Sequence, residues 1–297
     1  MEMLTIYTHN INPAHKEFWK SLAQKIIGKY SGPTAVRDSV LRGLNIHTIE
    51  HELNPLLAHG DTLLVLSGVN ALRKAIRFKE SGNAVKLIAG PNIVTTPNDA
   101  QKIMCNDAID ILLVPSEWVA NFWKHEAPEI AHKIHTWAAG VPKANASTRN
   151  GLPIVYNKML DTSLLVEVKK VFSQNEIDYT LFTYGTFKHS EYLKALRDAP
   201  FVVYLSQSES QGLALQEAWT HDVPTLINRS TTWRSNGFSW EAHQINCPYL
   251  TPELGVTFGD AEEILKRIEH ITSLHPKHYC DEYLSDSVST QKLLNIL

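Results

Sequence analysis

Short hydrophobic runs alternate along the chain with longer stretches whose hydrophobic positions recur every three or four residues. The runs read as strands: 4–7, 46–49, 62–66, 85–89, 109–114, 134–137, 152–156, 178–182, 201–205 and 225–227. Several, such as Leu63-Leu-Val-Leu66, show no polar alternation, the pattern of a parallel strand covered on both faces. Between them the helical pattern predicts helices over about 14–30, 35–43, 69–81, 189–199, 212–219 and 262–274, with Ser116 as the N-cap of another. Gly82-Asn83 reads as a helix end, and Gly90-Pro91-Asn92 as a turn. Strand and helix in strict alternation predict an α/β fold with parallel sheets.

Composition narrows the class only moderately. The chain has 297 residues, enough for two domains of roughly 150, and its 43% hydrophobic and 20% charged content is that of a soluble globular protein. A net charge of −3 gives no electrostatic case for nucleic acid. Cys105, Cys247 and Cys280 are scattered and lack metal-ligand spacing. With no leader pattern at Met1 and no apolar run near the ~18 residues of a spanning helix, a cytoplasmic protein is expected. The predicted helix 14–30 pairs a stripe of Phe18, Leu22 and Ile26 with Lys16, Lys20, Lys25 and Lys29. Such a helix either packs on a sheet with its lysines in water, the commoner outcome, or makes a peripheral contact on the inner face of a membrane.

The most informative stretch is Phe201–Ile227, which reads as strand, polar loop, helix, strand. In a parallel sheet this puts the loop at the carboxyl edge, where ligands bind. A helix beginning near Gly212 offers free amides and a positive dipole to phosphate, and glycine lets the backbone approach it. Glu209 in the loop and Glu217 in the helix are the only glutamates eight positions apart. Glu217 is suited to accept ribose hydroxyls, and Glu209 to face a sugar at the other end of the ligand. The plainer alternative is a loop charge and a solvated helix residue, since one such pair is expected by chance.

Ser208-Glu209-Ser-Gln-Gly212-Leu-Ala-Leu-Gln-Glu217-Ala218, followed by Asp222-Val-Pro224, resembles the donor-site signature of retaining GT-B glycosyltransferases (glycosyltransferase family 4-like). Gly212, Leu213, Glu217, Ala218 and Pro224 match that pattern, while Ser210 and Ala214 replace its usual Gly and Pro. A second stretch, Val114-Pro-Ser-Glu-Trp118 through Gly140-Val-Pro142, resembles the end of the family's first domain and comes in the right order.

The resemblance implies two Rossmann-like domains facing a cleft: 1–146 on the acceptor side, 147–275 binding the nucleotide sugar, and a helical tail, 276–297. The polar segment Lys143–Gly151 is the linker candidate. It further implies transfer of a sugar from a nucleoside-diphosphate donor to an unidentified acceptor (glycan, lipid-linked or small molecule), with retention and with neither metal nor other cofactor. Glu209 would position the sugar and Glu217 hold the ribose. Ser210, Gln211, Gly212, Leu213 and Ala214 would line the donor, and Lys158 would neutralise diphosphate. The loop of Tyr184, Gly185 and Phe187 would flank the base, either aromatic being equally at home in the core. No Asp-x-Asp metal motif occurs. His9 after the first strand, with Asn10, Asn12 and Asn92, supplies the acceptor-side candidates, and 231–248 is long enough for a functional loop. A GT-B epimerase or a non-catalytic partner subunit that binds sugar nucleotide is the alternative.

Overall fold

The computed structural model describes residues 3–297 apart from 10–29, 57, 59, 60, 85, 160 and 236. The predicted helix 14–30, with Asn10 and Asn12 beside it, therefore lies almost wholly outside the described residues. The chain divides into two compact units, one of residues 1–140 with Asp286–Leu297, the other Val141–Ser285.

In the first unit, strands β1 (Leu4–Tyr7), β2 (His51–Leu53), β3 (Thr62–Ser67), β4 (Lys86–Asn92), β5 (Ile111–Val114) and β6 (Ile134–Thr136) form one sheet in the order β2-β1-β3-β4-β5-β6. All its described pairings are parallel. Leu63 to Leu66 are fully buried, as an unalternating run requires. The helices are α1 (Gly32–Ile46), α2 (Val69–Glu80) and α3 (Glu117–Glu126). Ser31 caps α1 by accepting from the Thr34 amide.

Three local expectations change here. The strand expected at 46–49 does not form: Ile46 ends α1, the Ile49 amide bonds back to Leu44, and pairing starts at His51. The β-branched residues that suggested a strand instead close a helix. No turn forms at Gly90-Pro91-Asn92, because β4 runs on to pair Asn92 with Ser67. Gly90 is needed there for close approach: at its φ of +124°, a Cβ would lie 2.0 Å from the Leu113 carbonyl oxygen on β5. Ser116 takes the N-cap position of α3, but its hydroxyl makes no capping bond.

The second unit is built from β7 (Ile154–Asn157), α4 (Ser163–Gln174), β8 (Thr180–Thr183), α5 (His189–Leu196), β9 (Val202–Leu205), α6 (Leu213–Thr220) and β10 (Thr225–Asn228). A hairpin, β11 (Thr232–Ser235) with β12 (Phe238–Glu241), precedes β13 (Gly255–Phe258), α7 (Ala261–Thr272) and α8 (Pro276–Tyr283). The hairpin occupies part of the stretch expected to be loop. The parallel sheet has the order β13-β10-β9-β7-β8. Its strands bury both faces alternately: Ile154, Tyr156, Val202 and Tyr204 enter one core, and Val155, Val203 and Leu205 the other.

Lys143–Gly151 has no regular structure, yet it is part of the second unit rather than a free linker. Ser147, Thr148 and Gly151 donate their amides to the carbonyls of His221, Arg197 and Asp198. The segment expected as one helical tail is divided. Helix α8 belongs to the second unit, and α9 (Asp286–Ile296) returns to the first.

Helix α9 is seated by Gly43 on α1, where an added Cβ would meet Thr290 Oγ1 at 1.8 Å and the Asp286 carbonyl at 2.8 Å. Arg42 beside it donates to the buried Asp286 carboxylate at 2.6 Å. Gly43→Ala gains about 1 kcal/mol in helix propensity but incurs overpacking of about 1–3 kcal/mol. A net loss of stability is expected in urea denaturation, partly restored by Thr290→Ala. An unchanged or raised midpoint would contradict this packing.

Candidate functional site

In each unit one strand pair marks the place where chain order reverses across the sheet. From β7 the chain crosses to β8 on one side, then returns to β9 on the other. Loops leaving β7 and β9 therefore diverge and leave a crevice at their carboxyl ends, the general binding position in open parallel sheets. The first unit repeats this between β1 and β3.

Three predicted residues meet at the second unit's crevice. Lys158, directly after β7, puts Nζ 2.8 Å from Glu209 Oε2. Its ammonium also lies 4.9 Å from the ring centroid of Tyr184, which follows β8 and is largely exposed. The Glu209 side chain is only 7% exposed, and its other oxygen accepts from the Tyr204 hydroxyl at 2.8 Å. A buried carboxylate with two donors is a held charge, as burial demands. Backbone bonds fix the frame, with the Lys158 amide on Leu205, Tyr184 on Asn157 and Glu209 on Ile245. Asn228 and Asn246 close the loop from beneath: the Asn228 side chain accepts from the Ser206 amide and donates to its carbonyl, and Asn246 donates to the same carbonyl.

Helix α6 begins at Gly212, whose φ of +87° suits glycine. Leu215 and Gln216 give the first amide bonds back to the Gly212 carbonyl, so the amides of Leu213 and Ala214 precede the helical ladder. Glu217 sits one turn further on, where Oε1 is 2.7 Å from His189 Nε2 at the start of α5. Burial, then the charge of Glu209, then that of Glu217, push the Tyr156 phenol well above its ordinary pKa. Both carboxylates thus act electrostatically on one buried hydroxyl.

The remaining candidates divide. Ser210 is exposed on the loop. The Gln211 side chain is buried and donates to Gln216 at 3.0 Å, which turns it into the protein. Gly185 has a φ of +86° with open space around it. Phe187 packs edge-on against Tyr156 and Phe182, the core placement of its two alternatives. In the first unit, His9 lies at the β1–β3 reversal with Nδ1 3.1 Å from Ser67 Oγ. Asn92 ends β4 with its Nδ2 buried and, among the described residues, without a hydrogen-bond partner.

Sequence reasoning missed Tyr204, His189, Asn228 and Asn246. Only Tyr204 left a signal, a hydroxylated ring in an otherwise aliphatic strand just before Glu209. Among the described residues, no cluster of His, Cys, Asp and Glu is placed to hold a metal ion, and no helix is long and apolar enough to cross a membrane.

No family model matches the chain, and no curated protein matches it. Its likeness is to solved structures. The chain aligns over its whole length with 99% of the apo form of the lipopolysaccharide outer core galactosyltransferase WaaB, at TM-score 0.58 and 11% identity. Sucrose-phosphate synthase from Thermosynechococcus elongatus matches at TM-score 0.61 and 9% identity, with 100% of this chain and 98% of that one covered. WaaG, a glycosyltransferase involved in lipopolysaccharide biosynthesis, matches at TM-score 0.52 and 10% identity, with 99% of each chain covered. These likenesses, with two parallel α/β units, show a GT-B fold made of two Rossmann-like units.

Proposed function

We propose that this protein transfers a glycosyl group from a nucleoside-diphosphate sugar to an acceptor hydroxyl. One observation carries the reading: a buried carboxylate, Glu209, bonded to Lys158 at 2.8 Å where the sheet order reverses, one loop ahead of a helix that opens on Gly212. The names of the three similar chains agree with it.

In this reading the diphosphate lies against the Leu213 and Ala214 amides and draws the Lys158 ammonium onto itself. Glu217 accepts the ribose hydroxyls with His189 bracing its carboxylate. Glu209 takes a hydroxyl of the donor sugar and fixes the face on which the anomeric carbon is open. As the glycosyl–oxygen bond breaks, negative charge grows on the departing diphosphate, and Lys158 with the amino end of α6 stabilises it in place. Charge neutralised this way asks for no metal; the acceptor hydroxyl, attacking from the face the diphosphate leaves, would give up its proton to the departing phosphate oxygen and retain the anomeric configuration. Transfer to a glycan, a lipid-linked sugar or a small molecule fits equally. In the first unit, His9 and Asn92 are the acceptor-side residues.

Calorimetric titration with nucleoside diphosphates and their sugars, using wild type and Glu217→Ala, tests the donor site. Selective binding of one base is expected, weakened about tenfold or more in the variant through lost charge-assisted hydrogen bonds. Absence of binding by every member of the panel to the folded protein would overturn the reading, and binding without turnover would leave a sugar-nucleotide-binding subunit.

A further inference from the structure

Lys158 and Tyr204, both donors to Glu209, differ in how freely they can move. Lys158 follows the end of β7, its side chain is 31% exposed, and beyond Glu209 its ammonium rests on an exposed aromatic face. An arriving anion can take it. Tyr204 is 1% exposed on β9, between β7 and β10 in the middle of the sheet. Its ring stacks on Tyr156 at 4.8 Å and 13°, and Tyr156 is met in turn by Tyr192 at 5.1 Å and 66° and by Phe187 at 5.7 Å and 80°. Close-packed rings of this kind leave the hydroxyl one place to point, the Glu209 carboxylate 2.8 Å away.

We propose that Tyr204 is a positioning residue for the sugar-transfer step: its hydroxyl holds Glu209 Oε1 while Lys158 leaves Oε2 for the donor's diphosphate. This rests on the transfer reading above and adds to it a division of labour between the two oxygens. Oε2, released by the cation, turns to the hydroxyl of the donor sugar; Oε1 keeps the carboxylate from swinging as its ion pair is lost. Burial first, and the Glu209 charge after it, raise the phenol well above its ordinary pKa, so the group remains a donor at every working pH. A phenylalanine would fill the same core volume and lack that donor.

The test is Tyr204→Phe in the full chain, with UDP, ADP and GDP and their glucose conjugates as probes. Binding is read by calorimetry, and donor turnover as nucleoside diphosphate released by hydrolysis. The variant should bind the diphosphate alone within about threefold of wild type. The extra affinity of the sugar conjugate should disappear, or kcat for its hydrolysis should fall about tenfold or more at nearly constant KM, as loss of a hydrogen bond to a charged group implies. Thermal unfolding confirms that the variant is folded. Unchanged sugar affinity and kcat would overturn the proposal, as would equal weakening of diphosphate and conjugate, which marks a merely structural role. If wild type binds none of the probes, the transfer reading itself fails and this inference with it.

Discussion

Lys158→Met is expected to weaken binding of a nucleoside diphosphate by about 100-fold or more and to leave binding of the bare nucleoside nearly unchanged. The size follows from where the cation stands. Lys158 is held at the β7–β9 reversal by its own amide on Leu205, so its ammonium enters the crevice from a fixed root. There it balances a carboxylate that is almost wholly out of water. Methionine keeps the length of the side chain and removes the charge. Two negative groups, Glu209 and the diphosphate, would then share the crevice without the Lys158 cation, leaving neutral donors such as the Tyr204 hydroxyl and the α6 amides to oppose them. Like charges at such range cost several kcal/mol where water is excluded. The bare nucleoside brings no phosphate and serves as the internal control. Adding salt provides a second reading: affinity for diphosphate should fall with ionic strength in wild type, and much less steeply in the variant. Equal loss for nucleoside and diphosphate would show that Lys158 shapes the crevice rather than meets an anion.

The second large effect concerns stability. Arg149→Met is expected to lower the stability of the second unit by about 3 kcal/mol, close to 10 °C in melting temperature for a unit of this size. Arg149 stands in the segment that resembles a linker, with a φ of +58°. Its guanidinium donates to the carbonyls of Thr272 at 2.8 Å, Asp222 at 2.6 Å and Leu274 at 2.8 Å, and to the Asp222 carboxylate at 2.9 Å. Two of those carbonyls close the end of α7, where a helix has no partners of its own. Asp222 also accepts from the Lys277 amide at the start of α8 and lies 2.8 Å from His275 Nδ1. One side chain thus ties together the ends of α6 and α7, the start of α8 and the segment it belongs to. Native-state hydrogen exchange gives a local check: the amides of Ser147, Thr148 and Gly151 should lose protection before those of β9. A cost below about 1 kcal/mol would mean the carbonyls find other partners, as exposed ion pairs often allow.

The chain's own order determined more of this protein than its composition did. Unalternating runs such as Leu63–Leu66 and Val202–Leu205 fit strands covered on both faces, and their alternation with helices favours a parallel sheet. The placement of Glu209, Gly212 and Glu217 on a loop and helix that follow a strand was legible for the same reason. A loop between strand and helix must lie at the carboxyl edge, and only a glycine takes φ near +87° at no cost. Local sequence also misled where local preference was the only guide. Ile46 to Ile49 carry strand-forming side chains but sit where α1 closes, and Lys143–Gly151 has the composition of a linker yet is pinned by distant carbonyls.

Partnership between distant residues was decided by the tertiary structure alone. Lys158 and Glu209 are 51 positions apart, His189 and Glu217 are 28, and Arg42 and Asp286 are 244. The first two of these pairs depend on strand order in the second unit, and that order is set by which side of β7 the chain takes when it leaves β8. That choice follows from the packing of α4 and α5 on opposite faces of the sheet, a property of two assembled cores. The sequence determined which residues lie at strand ends; the order of the strands decided which of those ends meet.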